Sequence, residues 1–378
     1  MKPIYLDYNA TTPLDPRVFE AMRPYYSTAV GNAGSRTHLY GQKAKEAIDR
    51  ARAQVAALIG VKAEEIIFTS GATESNNLVL LGLIPYGADC SRRHILATCI
   101  EHKSVLEPLN RLRALGFEVE LLPVTAGGFV EPDTVHRRLR PDTLLVTMMH
   151  ANNETGVLQP VVEISGWLAE SGVLFHVDAA QTFGKEVEAL RTAQCDFLSI
   201  SAHKIFGPAG VGALYVRRRG SRRTPLRPIM LGGGQEMGLR PGTLPVPLIV
   251  GLGKAAELAG QDYKQRNHQS ARLKKELLGA LQAVDHRING DLTRMQPHVL
   301  NISFPGVDSE ALMLALRSKI AISNGAACTS SGREAGHVLR SMGLTEEELA
   351  SAVRFSWGPG VKYIPHEALL EAVARLRC

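Results

Sequence analysis

VLFHVDAAQTFGK (Val173–Lys185) and CDFLSISAHKIFGPAGVGALYV (Cys195–Val216), joined by a helical spacer, decide how this chain is read. Val173–Val177 is an apolar run too short for a helix, and it stops at Asp178, with Gln181 three residues on. Phe197–Ile200 is a second such run, and it delivers Ser201, His203 and Lys204. Short apolar runs bounded by polar residues read as buried strands. Open α/β sheets bind ligands beyond the carboxyl ends of their strands. An acid at one strand end, and a lysine flanked by hydroxyl and imidazole at another, suit a cofactor with a pyridinium nitrogen, an aldehyde and a phosphate. Pyridoxal 5'-phosphate (PLP), carried as a lysine Schiff base with an acid on its ring nitrogen, has that chemistry. Each residue alone has a plainer reading: a solvated lysine, or an aspartate capping a turn or helix.

Working outward, strands and helices alternate. Tyr40–Leu58 has the apolar spacing of an amphipathic helix closed by Gly60. Glu65–Thr69 reads as a strand, followed by Ser70-Gly71-Ala72-Thr73 and a helix through Leu83; a small-residue turn opening a helix is an anion site. His94–Thr98 is the next strand, ending at Glu101-His102, and a helix over 103–115, a strand over 117–122 and a helix near 131–139 follow. Thr143–Met149 is a strand ending at ANNETG (Ala151–Gly156). This alternation predicts an α/β fold, a mostly parallel sheet with helices on both faces. Tyr5–Val18 reads as extended, with Pro13 and Pro16 forbidding an early helix. Gly232–Pro245 is a glycine-rich loop. Helices near Pro247–Gly260 and Tyr263–Val284 then lead to a second lobe, with strands Val299–Phe304 and Ala352–Trp357, the latter carrying Arg354, and helices over 309–318 and 366–377.

With 45% hydrophobic and 21% charged residues, the chain is an ordinary globular enzyme in composition, neither disordered nor fibrous. No apolar run nears the ~18 residues of a membrane helix. Asp7 interrupts any signal-peptide core, so a cytoplasmic protein is expected. Cys90, Cys99, Cys195, Cys328 and Cys378 are scattered, without the spacing of a disulfide framework or a metal site; no metal is expected. The net charge of +6 gathers in RRRGSRRTPLR (Arg217–Arg227). That stretch reads as a solvated loop or a docking patch for acidic partner proteins. Direct nucleic-acid binding is not expected, because no aromatic residues interleave with the arginines. SNGAACTSSG (Ser323–Gly332) has no bulky side chain to anchor it, so Cys328 is expected to sit on a loop looser than its flanks.

Taken together, YLDYNATTPLDPRV, TSGATESNN, EHK, ANNETG, HVDAAQ, SAHKIFGPAGVGALYV, RPGTLP, ACTSS and VRFSWG resemble the NifS/IscS-type cysteine desulfurases, PLP enzymes of the class V aminotransferase family. The resemblance spans nearly the whole chain. Two stretches depart from the family wording: GNAGSRTH (Gly31–His38), where Ala33 and Gly34 replace the residues of GNPSS-x-H, and SNGAAC where SSGSAC is common.

The resemblance implies PLP fold type I, with a seven-stranded sheet and a smaller α+β C-terminal lobe. It implies a large PLP-binding domain over 16–258, and a small domain of 1–15 plus 259–378 carrying the cysteine loop at about 323–332. It assigns Ala72, Thr73, Ser201 and His203 to the phosphate, together with Thr243 reaching across a homodimer with shared active sites. His102 would stack on the ring and relay protons. Asn153 and Gln181 would hold the ring oxygen, Asp178 the ring nitrogen and Lys204 the aldehyde. Arg354, with Asn153, would bind the substrate. Lys204 would remove the Cα proton of L-cysteine, and His102 its thiol proton. Cys328 would take the sulfur as a persulfide, leaving L-alanine, and pass it to a protein acceptor or scaffold. In this family that sulfur serves iron–sulfur cluster assembly, tRNA thiolation or DNA phosphorothioation. A selenocysteine lyase, a class V aminotransferase or a non-enzymatic scaffold are the rival readings.

Overall fold

The apolar runs assemble into one seven-stranded sheet. The computed structural model describes residues 2–219, 222–223, 225–324 and 336–377. In chain order the strands are β1 (Ile66–Thr69), β2 (His94–Thr98), β3 (Glu118–Leu122), β4 (Thr143–Met149), β5 (Leu174–Asp178), β6 (Phe197–Ser201) and β7 (Gly212–Val216). Their order across the sheet is β1-β7-β6-β5-β4-β2-β3. Only β7 runs antiparallel, against β1 on one side and β6 on the other. All but β3 are buried along their whole length, and β3, at the edge, is largely open. A sheet covered on both faces needs apolar residues at consecutive positions, which is why these strands read as runs rather than alternations. The two-residue period divides them between two cores. Leu96, Val146, Phe175 and Leu198 pack on one face with the helices Leu39–Ile59 and Val246–Leu281. Their neighbours Ile95, Leu145, Leu174 and Phe197 pack on the other, with Ala72–Gly82 and Lys103–Ala114.

A third core lies under a three-stranded antiparallel sheet formed by Arg287–Ile288, Val299–Ser303 and Ala352–Ser356. The first strand of the chain, Ile4–Tyr5, pairs with Ile320–Ala321, so the amino-terminal segment lies on this lobe. The helix of residues 246–281 serves two cores: Ile249, Leu252 and Ala256 pack beneath the large sheet, Leu273, Leu277 and Leu281 in the third core.

Three sequence expectations are corrected. The helices foreseen over 247–260 and 263–284 are one continuous helix, Val246–Leu281. Gly260 weakens a helix by about 1 kcal/mol, which packing on both sides outweighs, and no proline breaks it. Pro16 does not forbid a helix but starts one, Pro16–Met22, with the Asp15 carboxylate accepting from the Arg17 N–H. At the first helical position proline's missing N–H costs nothing. The arginine-rich stretch is not a plain loop: Arg218–Arg219 pairs antiparallel with Arg222–Arg223. Among the described residues no helix is long and apolar enough to cross a membrane.

Candidate active site

The carboxyl ends of β1, β2, β4, β5 and β6 open into one cavity of about 370 Å³. Ala72, Thr73, His102, Asn153, Asp178, Gln181, Ser201, His203, Lys204 and Arg354 all line it. Two predicted site residues do not. Thr243 is exposed and outside this cavity, and Cys328 lies outside the described residues. Cys378 lies outside them too.

At one end, β1 turns through Ser70 and Gly71 into the helix Ala72–Gly82. Gly71 is its N-cap at φ 155°, and no side chain caps it. The first amides of that helix therefore face the cavity with the positive end of the helix dipole behind them. The start of β7 is packed against this turn: a Cβ on Gly212 would lie 2.3 Å from the Ile200 carbonyl oxygen and 2.6 Å from the Gly71 Cα. Ser201, Gly210 and His203 close the same end. His203 is driven down to about 4, first by burial, then by the charges of Lys204 and Lys185, so its ring is neutral. These groups fit a phosphate.

Asp178, at the end of β5, is buried and accepts from Asn76 Nδ2 at 2.7 Å and from the Ala180 N–H at 2.9 Å. Gln181 gives one amide hydrogen to the Asn9 carbonyl at 3.0 Å, and its buried Oε1 has no partner among the described residues. Lys204 Nζ donates to the carbonyls of Asn9 at 2.5 Å and Ala10 at 2.7 Å. A carboxylate, an incompletely paired amide and an amine within one pocket fit the ring nitrogen, ring oxygen and aldehyde carbon of PLP. His102 caps the helix Lys103–Ala114. Burial holds its imidazole below the usual range, with Asp178 opposing and Lys204, His337 and Lys103 adding to the shift.

The opposite wall belongs to the smaller lobe. Arg354 is 3% exposed; it pairs with Asp7 Oδ1 at 2.6 Å and donates to the Asn153 carbonyl at 2.9 Å, while its Nε has no partner among the described residues. Beside it, Glu154 is pushed up to about 7 by burial, against the pull of Arg354. The backbone of Ser323 bonds to that of Arg354, and His337 Nε2 lies 3.1 Å from the Glu101 carbonyl oxygen. The described flanks of the Cys328 segment thus adjoin Arg354, which lines the cavity, and Glu101, the residue before His102.

Sequence reasoning missed Asp7, Asn9, Ala10, Asn76 and Ser104. The first three stand in YLDYNATT, whose quoted motif gave no role to single residues. Asn76 was signalled by its place one helical turn after Thr73, on a face that must be buried.

The aminotransferase class-V family model matches residues 4–360, and this chain belongs to that family, whose members depend on PLP. More particularly, it is 48% identical to the cysteine desulfurase IscS of Anaeromyxobacter dehalogenans (strain 2CP-C) over 361 residues, 94% of this chain and 88% of that one. DndA from Streptomyces lividans superposes with a TM-score of 0.83 at 48% identity, covering 93% of this chain and 98% of that one. The structure described as SspA in complex with cysteine superposes with a TM-score of 0.81 at 35% identity, over 94% and 99% of the two chains.

Proposed function

We propose that this protein is a PLP-dependent cysteine desulfurase that converts L-cysteine to L-alanine and receives the sulfur on Cys328 as a persulfide. The observation that carries the reading is the convergence of the lysine, the acid, the uncapped helix start and the buried arginine on one cavity. Relatives named for the same reaction support it.

Ala72, Thr73, Ser201 and His203 hold the phosphate. Asp178 would keep a proton on the ring nitrogen, Gln181 and Asn153 would serve the ring oxygen, and Lys204 would hold the aldehyde carbon. Bound PLP supplies an electron sink for the pair released at the substrate's Cα. Arg354 receives the substrate carboxylate through two parallel N–H bonds, exchanging Asp7 for it. The Lys204 amine, oriented by the Asn9 and Ala10 carbonyls, would take the Cα proton. His102 stands at the cofactor's face. The Cys328 thiolate attacks the substrate sulfur; the carbon keeps the electron pair of the broken C–S bond and is protonated to alanine. A protein acceptor then takes the sulfur.

Thr243 completes the phosphate site of a second copy, in a homodimer with shared sites. Its exposure, and that of Leu231 at 91% earlier in the same loop, supports this. The test is to incubate the holoenzyme with L-cysteine, measure alanine, and weigh the protein. Cys328→Ala should keep the cofactor's visible absorbance and lose both alanine and the added sulfur; Lys204→Ala should lose the absorbance band. Keto-acid formation indifferent to Cys328 would turn the reading toward an aminotransferase. Unchanged alanine production in Cys328→Ala would remove the thiol from the reaction.

A further inference from the structure

The proton positions around His102 are fixed by a chain of hydrogen bonds that begins at Asp178. The Asp178 carboxylate can only accept. Asn76 Nδ2 lies 2.7 Å from its Oδ2 and 2.9 Å from Ser104 Oγ. Turning the amide over would point its carbonyl at the carboxylate, so the NH2 group faces both and gives one hydrogen to each. Ser104 Oγ therefore accepts from Asn76, and its own hydrogen is free to turn to His102 Nδ1, 2.8 Å away, where a backbone bond to that nitrogen rules out the opposite direction. The Ser104 backbone N–H points at the same nitrogen at 3.1 Å, as the N-cap bond of the helix Lys103–Ala114. Two donors converge on Nδ1, so it must carry the lone pair.

We infer that Asn76 and Ser104 are positioning residues that hold His102 as the neutral Nε2–H tautomer, so that it meets the bound cofactor and substrate as a hydrogen-bond donor rather than as a base. The inference rests on the desulfurase reading for what His102 faces, but not for its protonation. A neutral imidazole whose Nδ1 is occupied has no lone pair to offer from Nε2. The role of taking the thiol proton therefore does not fall to His102 in this state, and cysteine entering as thiolate meets an N–H. Protonating Nδ1 would break the helix cap, so the cation is disfavoured by geometry as well as burial. A helix N-terminus holding a histidine neutral for use as a donor is an established device in enzymes. The titratable groups acting on the ring are Asp178, Lys204, His337 and Lys103.

The experiment is long-range 1H–15N correlation on histidine-labelled holoenzyme, with His102 assigned by its loss in His102→Gln. We expect a pyrrole-type Nε2 and a pyridine-type Nδ1, unchanged from about pH 6 to 8. Ser104→Ala should raise the His102 titration midpoint by about one pH unit and mix the tautomers, with Ser104→Thr restoring both. Asn76→Ala should move the midpoint in the same direction. A protonated Nδ1 in the wild type, or a midpoint that stays put in Ser104→Ala, overturns the inference. The visible cofactor band and alanine production, measured on the same samples, report separately on the desulfurase reading.

Discussion

The two ends of the cavity are built in opposite ways. At the Gly71 end, the groups that face a ligand are backbone amides and short side chains fixed by adjoining strands, with β7 packed against the turn. At the Arg354 end, one buried guanidinium is held by Asp7, a residue 347 positions away in sequence. What this chain itself supplies to the first end is in place before anything binds. The second is closed by an ion pair, which on the proposed function a substrate carboxylate would replace. A permanent cofactor suits the first arrangement and an exchanging substrate the second.

The sharpest way to break this contrast is Gly212→Ala. The new Cβ meets backbone of Ile200 and Gly71, which cannot swing aside, so the turn must shift. We expect a loss of about 1–3 kcal/mol of stability and weakened cofactor retention, read by thermal melting and by cofactor absorbance after dialysis. Retention equal to wild type would mean that the end described as rigid tolerates displacement. Arg354→Lys probes the other end. It keeps the charge but loses the planar fork, and should raise KM for cysteine on the order of 10- to 100-fold while leaving cofactor retention unchanged. An unaltered KM would take Arg354 out of substrate binding.

The smallest expected effect concerns Glu101, fully buried next to His102 in sequence and pushed up to about 8 by burial, against hydrogen bonds from Thr98 and the Met149 N–H. Its folded pKa is raised above its unfolded value, near 4.5. Its contribution to stability is therefore full below that value and is lost as pH rises toward 8. Glu101→Gln should flatten the decline of the melting temperature over that window. An identical decline in the variant would place the titration elsewhere.

Six of the seven strands were legible because each is buried along its whole length and so reads as a mostly apolar run, while β3, open at the edge, mixes glutamates with apolar residues. The cavity's motif residues were legible because they sit at the ends of those runs. The Asp7–Arg354 pair was not: nothing local in YLDYN says that its carboxylate meets a guanidinium near the other end of the chain. The Asn76–Ser104–His102 relay was hidden for the same reason, since it joins two helices that follow different strands. Pro16 and the 246–281 helix misled in the other direction. A proline and a glycine were read as breaks where position in the helix, and packing on two sides, made them harmless.

That long helix is about 54 Å from end to end by its residue count. Because its two halves are embedded under different sheets, it acts as a common axle: heating that loosens one lobe withdraws support from the other. The two lobes are thereby expected to melt together, which a single calorimetric transition would show.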